Sequence, residues 1–304
     1  MASSTINILS FDIEEWFHPE IFAGRYPRES WDRLEARVQK NTELILNFLS
    51  RKRLKATLFF MGWVAEKYPD LVRAAVQEGH EIASHGYAHV MINKFATRED
   101  FRADLRQSIQ ILSELAGEPV IGFRAPTFSV TKKTLWALPI MFEEGIRYDS
   151  SVFPILHDRY GIPDAPREPY MIFRQGQEGI TEYPMTTVRV GKFNLPLGGG
   201  GYLRLYPFKF SLMLMKRCAT EGRPIMFYAH PWEFDVDAPR VDLGWVGKIR
   251  HYHAIDKFLQ RLDVITDLFP FTSFKEARRQ KLLQVNGEAL SASGTPREEL
   301  EMPL

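Results

Sequence analysis

Three stretches of the sequence carry residues able to share one reaction centre. They are SHGYAH (84–89), SFDIEE (10–15) and YAHPW (228–232). His85 and His89 are separated by three residues, so on one helical turn or in a tight loop both imidazoles can converge on a single ion. Two imidazoles and one carboxylate, at about 2.0–2.2 Å, are ordinary zinc ligands, and three protein ligands leave a coordination position open for chemistry. The carboxylate must come from another part of the chain, and FDIEE is the obvious donor. In an extended segment Asp12 and Glu14 share one face while Ile13 takes the other. One of these acids can then bind the metal while its neighbour acts as general base on an attacking water. Arg124, in GFRAPTF (122–128), is placed to pair a carboxylate bidentately. His230, facing a metal, has the chemistry of a general acid for an amine leaving group.

These residues converge only if the right elements carry them. Short apolar runs rich in β-branched and aromatic residues predict strands at 6–11, 55–62, 80–85, 120–126, 146–151 and 224–230. Between them, apolar spacing predicts helices over 31–54, 68–79, 98–117 and 131–145, the last broken around Pro139, and later at about 208–221 and over 251–269. An irregular β section is expected at about 170–205, and one more strand-to-helix step at FTSFKEARRQ. The alternation argues for an α/β chain with parallel strands, as a barrel or an open sheet, in which function gathers at the C-terminal strand ends. Asp12, Glu14, His85, His89, Arg124, Asp149 and His230 all fall at such ends. Four consecutive glycines, 198–201, read as a flexible or tightly turned loop lining the cleft together with Tyr202. Trp16, His18 and Trp232 flank the motifs, where exposed rings would be able to stack on a substrate.

With 304 residues, 45% of them hydrophobic, the chain can bury a sizeable core, and a net charge of +1 leaves no global field for nucleic acid. Cys218 stands alone, which excludes an internal disulfide and suits a reducing compartment. The N-terminus shows no signal-peptide pattern and no stretch is long enough to span a membrane, so a cytoplasmic location is expected, with peripheral contact at the inner face of the membrane left open.

The order SFDIEE, SHGYAH, RAPTF, YDSS, YAHPW resembles the polysaccharide deacetylases with a NodB-homology domain (carbohydrate esterase family 4), in the branch associated with bacterial exopolysaccharide loci. The resemblance runs from about residue 6 to 232. It implies a distorted, incomplete (β/α) barrel, usually of seven parallel strands. The expected organisation is one catalytic domain over 1–283, with an inserted irregular β section at about 160–207 and a polar tail over 284–304. It also implies a divalent metal, zinc foremost, with cobalt, nickel or manganese as alternatives.

By the same resemblance Asp12 is the catalytic base, Arg124 holds it, His85 and His89 are ligands, Asp149 tunes the last histidine, and His230 is the general acid. The family's acid ligand directly follows the base, where this chain has Ile13. Glu14 therefore inherits the role, with Glu15 as the fallback. The Thr127 N–H would help stabilise the oxyanion, and Tyr202 and Trp232 would contact substrate. The activity implied is metal-dependent removal of N-acetyl groups from a sugar of a polysaccharide or its lipid-linked precursor. Two readings stay open: an amidohydrolase acting on a small amide or cyclic ureide, and a carbohydrate-binding relative without turnover.

Overall fold

The computed structural model describes residues 5–286. Its strands are β1 (Asn7–Ile13), β2 (Thr57–Phe60), β3 (Glu81–Ser84), β4 (Gly122–Phe123), β5 (Tyr148–Asp149), β6 (Tyr170–Gln175), β7 (Glu178–Glu182), β8 (Thr187–Val190), β9 (Phe193–Pro196), β10 (Met226–Ala229) and β11 (Phe271–Thr272). The main sheet runs β10-β1-β2-β3-β4-β5-β7-β6, with β11 pairing the first residues of β1. Every pairing in it is parallel except β6 with β7. The row from β10 to β7 thus holds the parallel strands expected of an incomplete barrel. The helices are α1 (Val38–Lys52), α2 (Gly62–Lys67), α3 (Pro69–Gln77), α4 (Arg98–Ala116), α5 (Ala137–Glu143), α6 (Gly200–Leu205), α7 (Phe208–Thr220), α8 (Gly244–Tyr252), α9 (Phe258–Leu268) and α10 (Phe274–Arg279).

β1 shows how the pleat builds the site. Leu9, Phe11 and Ile13 point into the larger core beneath the helices. Ile8 points the other way, into a second cluster with Phe59, Tyr148, Met226 and Tyr228. Asp12 follows Ile8 and Ser10 on that inner side by the two-residue period, and so reaches the centre of the curved sheet at its C-terminal end. The sheet does not close. Between β10 and the chain that follows β7 the gap is crossed through the glycine run: Tyr228 N–H donates to Gly198 O, and Leu197 N–H to Thr186 O.

Several expectations change. The helix expected from residue 31 starts at Val38, after a 3-10 turn over Arg28–Arg33. The Glu15 carboxylate accepts the N–H groups of Arg37 and Val38 and sets that start. Pro139 does not break a helix: α5 begins at Ala137, so the proline lies in the first turn, where its missing N–H has no helical partner. The long helix expected over 251–269 is two, α8 and α9, parted at Ala254, whose φ is 50°. There Arg204 Nη1 donates to the carbonyls of His251 and His253. The section about 160–207 is no simple insertion, because β7 joins the main sheet beside β5; β8 and β9 form the separate hairpin.

The glycine run is an ordered crossing rather than a flexible loop. Gly199 bridges Tyr228 of β10, and Gly200 opens α6. A Cβ on Gly198 would lie 2.1 Å from Met226 O, and one on Gly200 would lie 2.2 Å from Glu233 Oε2. Of the expected tail, 287–304 lies outside the described residues, while Asn286 N–H donates to Pro169 O.

Candidate active site

The C-terminal strand ends open into a cleft of about 200 Å³, whose lining includes Asp12, Glu14, His85, His89, Thr127, Trp232 and His230. Ligand atoms of Glu14, His85 and His89 all lie within 4.8 Å of one another. His85 Nδ1 bonds the Arg124 carbonyl at 2.7 Å, which leaves Nε2 free to face the centre. His89 Nε2 lies 2.7 Å from Glu14 Oε2. His89 can turn back because its φ is 52° and that of Gly86 is 72°. The Asp104 carboxylate on α4 clamps the same loop by accepting the N–H groups of Tyr87 and Ala88.

Glu14 is buried, which by itself would raise its pKa, yet His89, His230 and His85 together hold it well below the usual carboxylate range. Two imidazoles and one buried carboxylate fit a zinc-like cation. Glu15 does not compete: it is occupied at the start of α1, and burial pushes it up to about 7.

Asp12 sits beside this group. Arg124 Nη1 donates to Asp12 Oδ1 at 2.6 Å and to Ser10 Oγ at 2.9 Å. Nε and Nη2 donate to Ser150 O and Oγ, and the guanidinium lies 4.1 Å from the Phe59 ring centroid. Held on every side, this buried arginine occupies one carboxylate oxygen of Asp12 and leaves Oδ2 toward the cleft. His230 Nε2 stands 4.0 Å from Asp12 Oδ2 and 3.7 Å from Glu14 Oε1. Thr127 is held at φ 55°, ψ 29°, a strained conformation for a β-branched residue, where the chain turns at the cleft wall.

Asp149 is not where it was expected. Its carboxylate accepts from Ser151 Oγ at 2.5 Å, and Ser151 Oγ in turn accepts the Ala125 N–H. Its other neighbour is Glu182, directly across the β5–β7 pair. It therefore braces the RAPTF segment and does not reach His230. The group on His230 is Glu233, with Nδ1 to Oε2 at 3.2 Å and the His230 N–H also donating to Oε2. Arg204 Nε donates to Glu233 Oε1 at 2.8 Å, and both residues are buried. Burial opposes charge on His230, but the hydrogen bond to Glu233 and the fields of Glu14, Glu233 and Asp12 outweigh it and raise its pKa.

Trp232 lines the cleft, but its ring is mostly buried against its neighbours. Its ring is stacked by His230 at 4.8 Å and by His251 at 4.3 Å. Tyr202 lies behind the lining, its hydroxyl 3.5 Å from that of Tyr160. Trp16 and His18 are buried in the core below.

Residues 29–140 match the family model of the polysaccharide deacetylases. This part of the chain, 112 of its 304 residues, is similar to a polysaccharide deacetylase domain. Residues 150–279 match a second model, a domain of unknown function called DUF3473. The peptidoglycan-N-acetylglucosamine deacetylase of Bacillus cereus is 34% identical over 97 residues, 32% of this chain and 35% of that protein. The chitooligosaccharide deacetylase of Sinorhizobium fredii is 32% identical over 85 residues, 28% of this chain and 40% of the relative. The chain thus spans about a third of the length of these curated relatives.

Two solved structures share the fold. A proposed polysaccharide deacetylase of Mycobacterium smegmatis superposes with a TM-score of 0.59 at 17% identity, covering 94% of each chain. An allantoinase, PuuE, does so with 0.58 at 19% identity, covering 90% of this chain and 89% of its own. The sheet runs unbroken from β4 through β5 to β7, across the boundary between the two matched segments. His85, His89 and Arg124 come from the first segment, His230 and Glu233 from the second, and Asp12 and Glu14 precede both.

Asp104, Glu233, Arg204 and His251 were not singled out from sequence. Only Glu233 carried a signal, since it lies three residues beyond His230 in YAHPWEF.

Proposed function

We propose that the chain is a metal-dependent N-deacetylase acting on an N-acetylated sugar of a polysaccharide or its lipid-linked precursor, at the cytoplasmic side of the membrane. The observation that carries this reading is the juxtaposition of a Glu14–His85–His89 cation site with an Arg124-held Asp12 on one side and a Glu233-held His230 on the other. A divalent cation bound there, zinc first by its donor set and cobalt, nickel or manganese as alternatives, would lend Lewis acidity to the acetamide carbonyl and acidify a water. Asp12 accepts the proton of the attacking water at Oδ2, because Oδ1 is taken by Arg124. The Thr127 N–H, at the strained turn of the cleft wall, is available to the carbonyl oxygen as its charge develops. His230, kept protonated by Glu233, gives its Nε2 proton to the departing sugar amine as the C–N bond breaks and acetate leaves. No helix of the described residues is long and apolar enough to cross a membrane.

The test is acetate release from N-acetylglucosamine oligomers by metal-stripped and metal-restored protein and by Asp12→Asn, with allantoin as a competing substrate. Metal-dependent release that Asp12→Asn abolishes supports the proposal. Turnover of allantoin alone, or sugar binding without any release, refutes it.

A further inference from the structure

The cleft carries two cations that the proposed chemistry does not use. Arg159 and Arg250 line its wall alongside Tyr160, and both side chains are largely exposed. The acids of the same cleft are already engaged: Asp12 by Arg124, Glu14 by His89, and Glu20 by Lys94. Two acids near the arginines along the chain are engaged as well. Asp158 sits against His157 at 2.9 Å, and Asp242 pairs Lys248 at 2.8 Å. Among the ion pairs of the described residues neither arginine takes part, so the rim of a site whose floor is neutralised keeps uncompensated positive charge.

The backbone that carries the two arginines is fixed by its surroundings. Arg159 sits on a loop tied at both ends to Phe153 O, which accepts the N–H groups of Ile155 and Ile162. The His157 ring stacks on Tyr160 at 3.9 Å, and Gly161 closes the loop with φ 100°. Arg250 occupies the last turn of α8, whose neighbour His251 is packed on Trp232. The fields of both guanidinium groups reach His157 and Tyr160, so they act on the same patch of rim.

We infer that Arg159 and Arg250 form an anion subsite that selects an acidic group, phosphate or carboxylate, attached to the sugar beside the reacting acetamide. The inference rests on reading the cleft as a sugar site. It also assigns a role to the segment matched by the domain of unknown function: besides His230 and Glu233, that segment supplies the charge selection at the mouth. Guanidinium groups bind phosphate and carboxylate through paired N–H donors, and partly exposed pairs of this kind are weakened by salt. About tenfold in affinity per arginine is expected, the equivalent of one charge-assisted hydrogen bond of about 1.4 kcal/mol.

The experiment is calorimetric binding of N-acetylglucosamine, its 1-phosphate and N-acetylmuramic acid to the metal-loaded protein and to Arg159→Gln/Arg250→Gln. The expected result is that at least one acidic sugar binds the parent protein tenfold or more tighter than the neutral one. That advantage should collapse in the double variant, return in part in Arg159→Lys/Arg250→Lys, and fade near ~1 M salt, where the Debye length is ~3 Å. Preference for the phosphate alone or the carboxylate alone identifies the source of the anion. Equal binding of neutral and acidic sugars, or an advantage that the double variant retains, overturns the inference. Acetate release is measured separately, so a protein that binds acidic sugars through these arginines but releases no acetate refutes the deacetylase reading and not the subsite.

Discussion

Replacing Glu233 by Gln keeps its shape while removing its charge, and so isolates what it does for His230. In the parent protein Glu233 lies 3.2 Å from His230 Nδ1 and 2.8 Å from Arg204 Nε. At 3.2 Å and an effective dielectric of about 20, unit opposite charges attract by about 5 kcal/mol, a ceiling for what the imidazolium loses. Arg204 then stays buried without its counter-ion and opposes charge on His230 further. Asp12 and Glu14 still favour the imidazolium from 4.0 and 3.7 Å, so the loss is partial.

A general acid contributes about 10²–10⁴-fold, and most of that should go: kcat for acetamide cleavage falls about 100-fold with KM little changed. The active form has His230 protonated, and its raised pKa is lowered by removing Glu233. The alkaline limb of the kcat–pH profile must therefore move to lower pH. The assay compares an N-acetyl sugar with an aryl acetate, whose leaving group departs without a proton, and only the amide should suffer. An unmoved alkaline limb, or equal damage to ester and amide, refutes the reasoning.

Zinc should raise the thermal midpoint of stripped protein by about 5 °C at 100-fold excess over Kd, and His85→Ala/His89→Ala should lose that shift; an equal shift in the variant would place the ion elsewhere. Gly200→Ala sets a Cβ 2.2 Å from the Glu233 carboxylate that Arg204 and His230 hold fixed. Amide turnover should drop by roughly 10²-fold as His230 loses its alignment, whereas Gly24→Ala, with nothing within 4 Å, stays within about 0.5 kcal/mol in a urea titration. If Gly200→Ala turns over normally, the crossing at Gly200 does not control His230. Burial pushes the carboxyls of Asp149 and Glu182 up, Asp149 to about 6, so the folded state holds protons that the unfolded chain has lost. Stability should therefore fall as pH rises from the ordinary carboxylate range through about 6 and beyond, and Glu182→Gln should flatten that fall by more than about 1 kcal/mol; parallel stability curves for the two proteins would exclude a proton held by the buried Asp149–Glu182 pair.

Local pattern made the strand-helix alternation and the reaction centre legible, because both depend on spacing. The two-residue period of β1 put Asp12 and Glu14 on one face, and the structure finds both in the cleft, with Glu15 turned back to α1. SHGYAH announced a histidine pair because four positions of chain suffice to bring two imidazoles together. Helix limits were less legible where a distant group set them: α1 starts where Glu15 accepts its first N–H groups, and α8 ends where Arg204 gathers two carbonyls.

The resemblance assigned Asp149, 81 positions away, to His230, whereas the structure pairs His230 with Glu233, three positions away, a partner that spacing and composition do not by themselves identify. It was decided by the ladder that sets Asp149 opposite Glu182 and by the glycine crossing that brings α6, and Arg204 with it, against Glu233. Trp232 is the same kind of case: an aromatic beside a catalytic motif reads as a sugar platform until His230 and His251 are seen stacked on its ring. Residue type and spacing determined which chemistry this chain could hold. Only the tertiary structure decided which buried groups neutralise one another, because desolvation makes a charge depend on neighbours that the fold, and not the sequence interval, brings within a few ångströms.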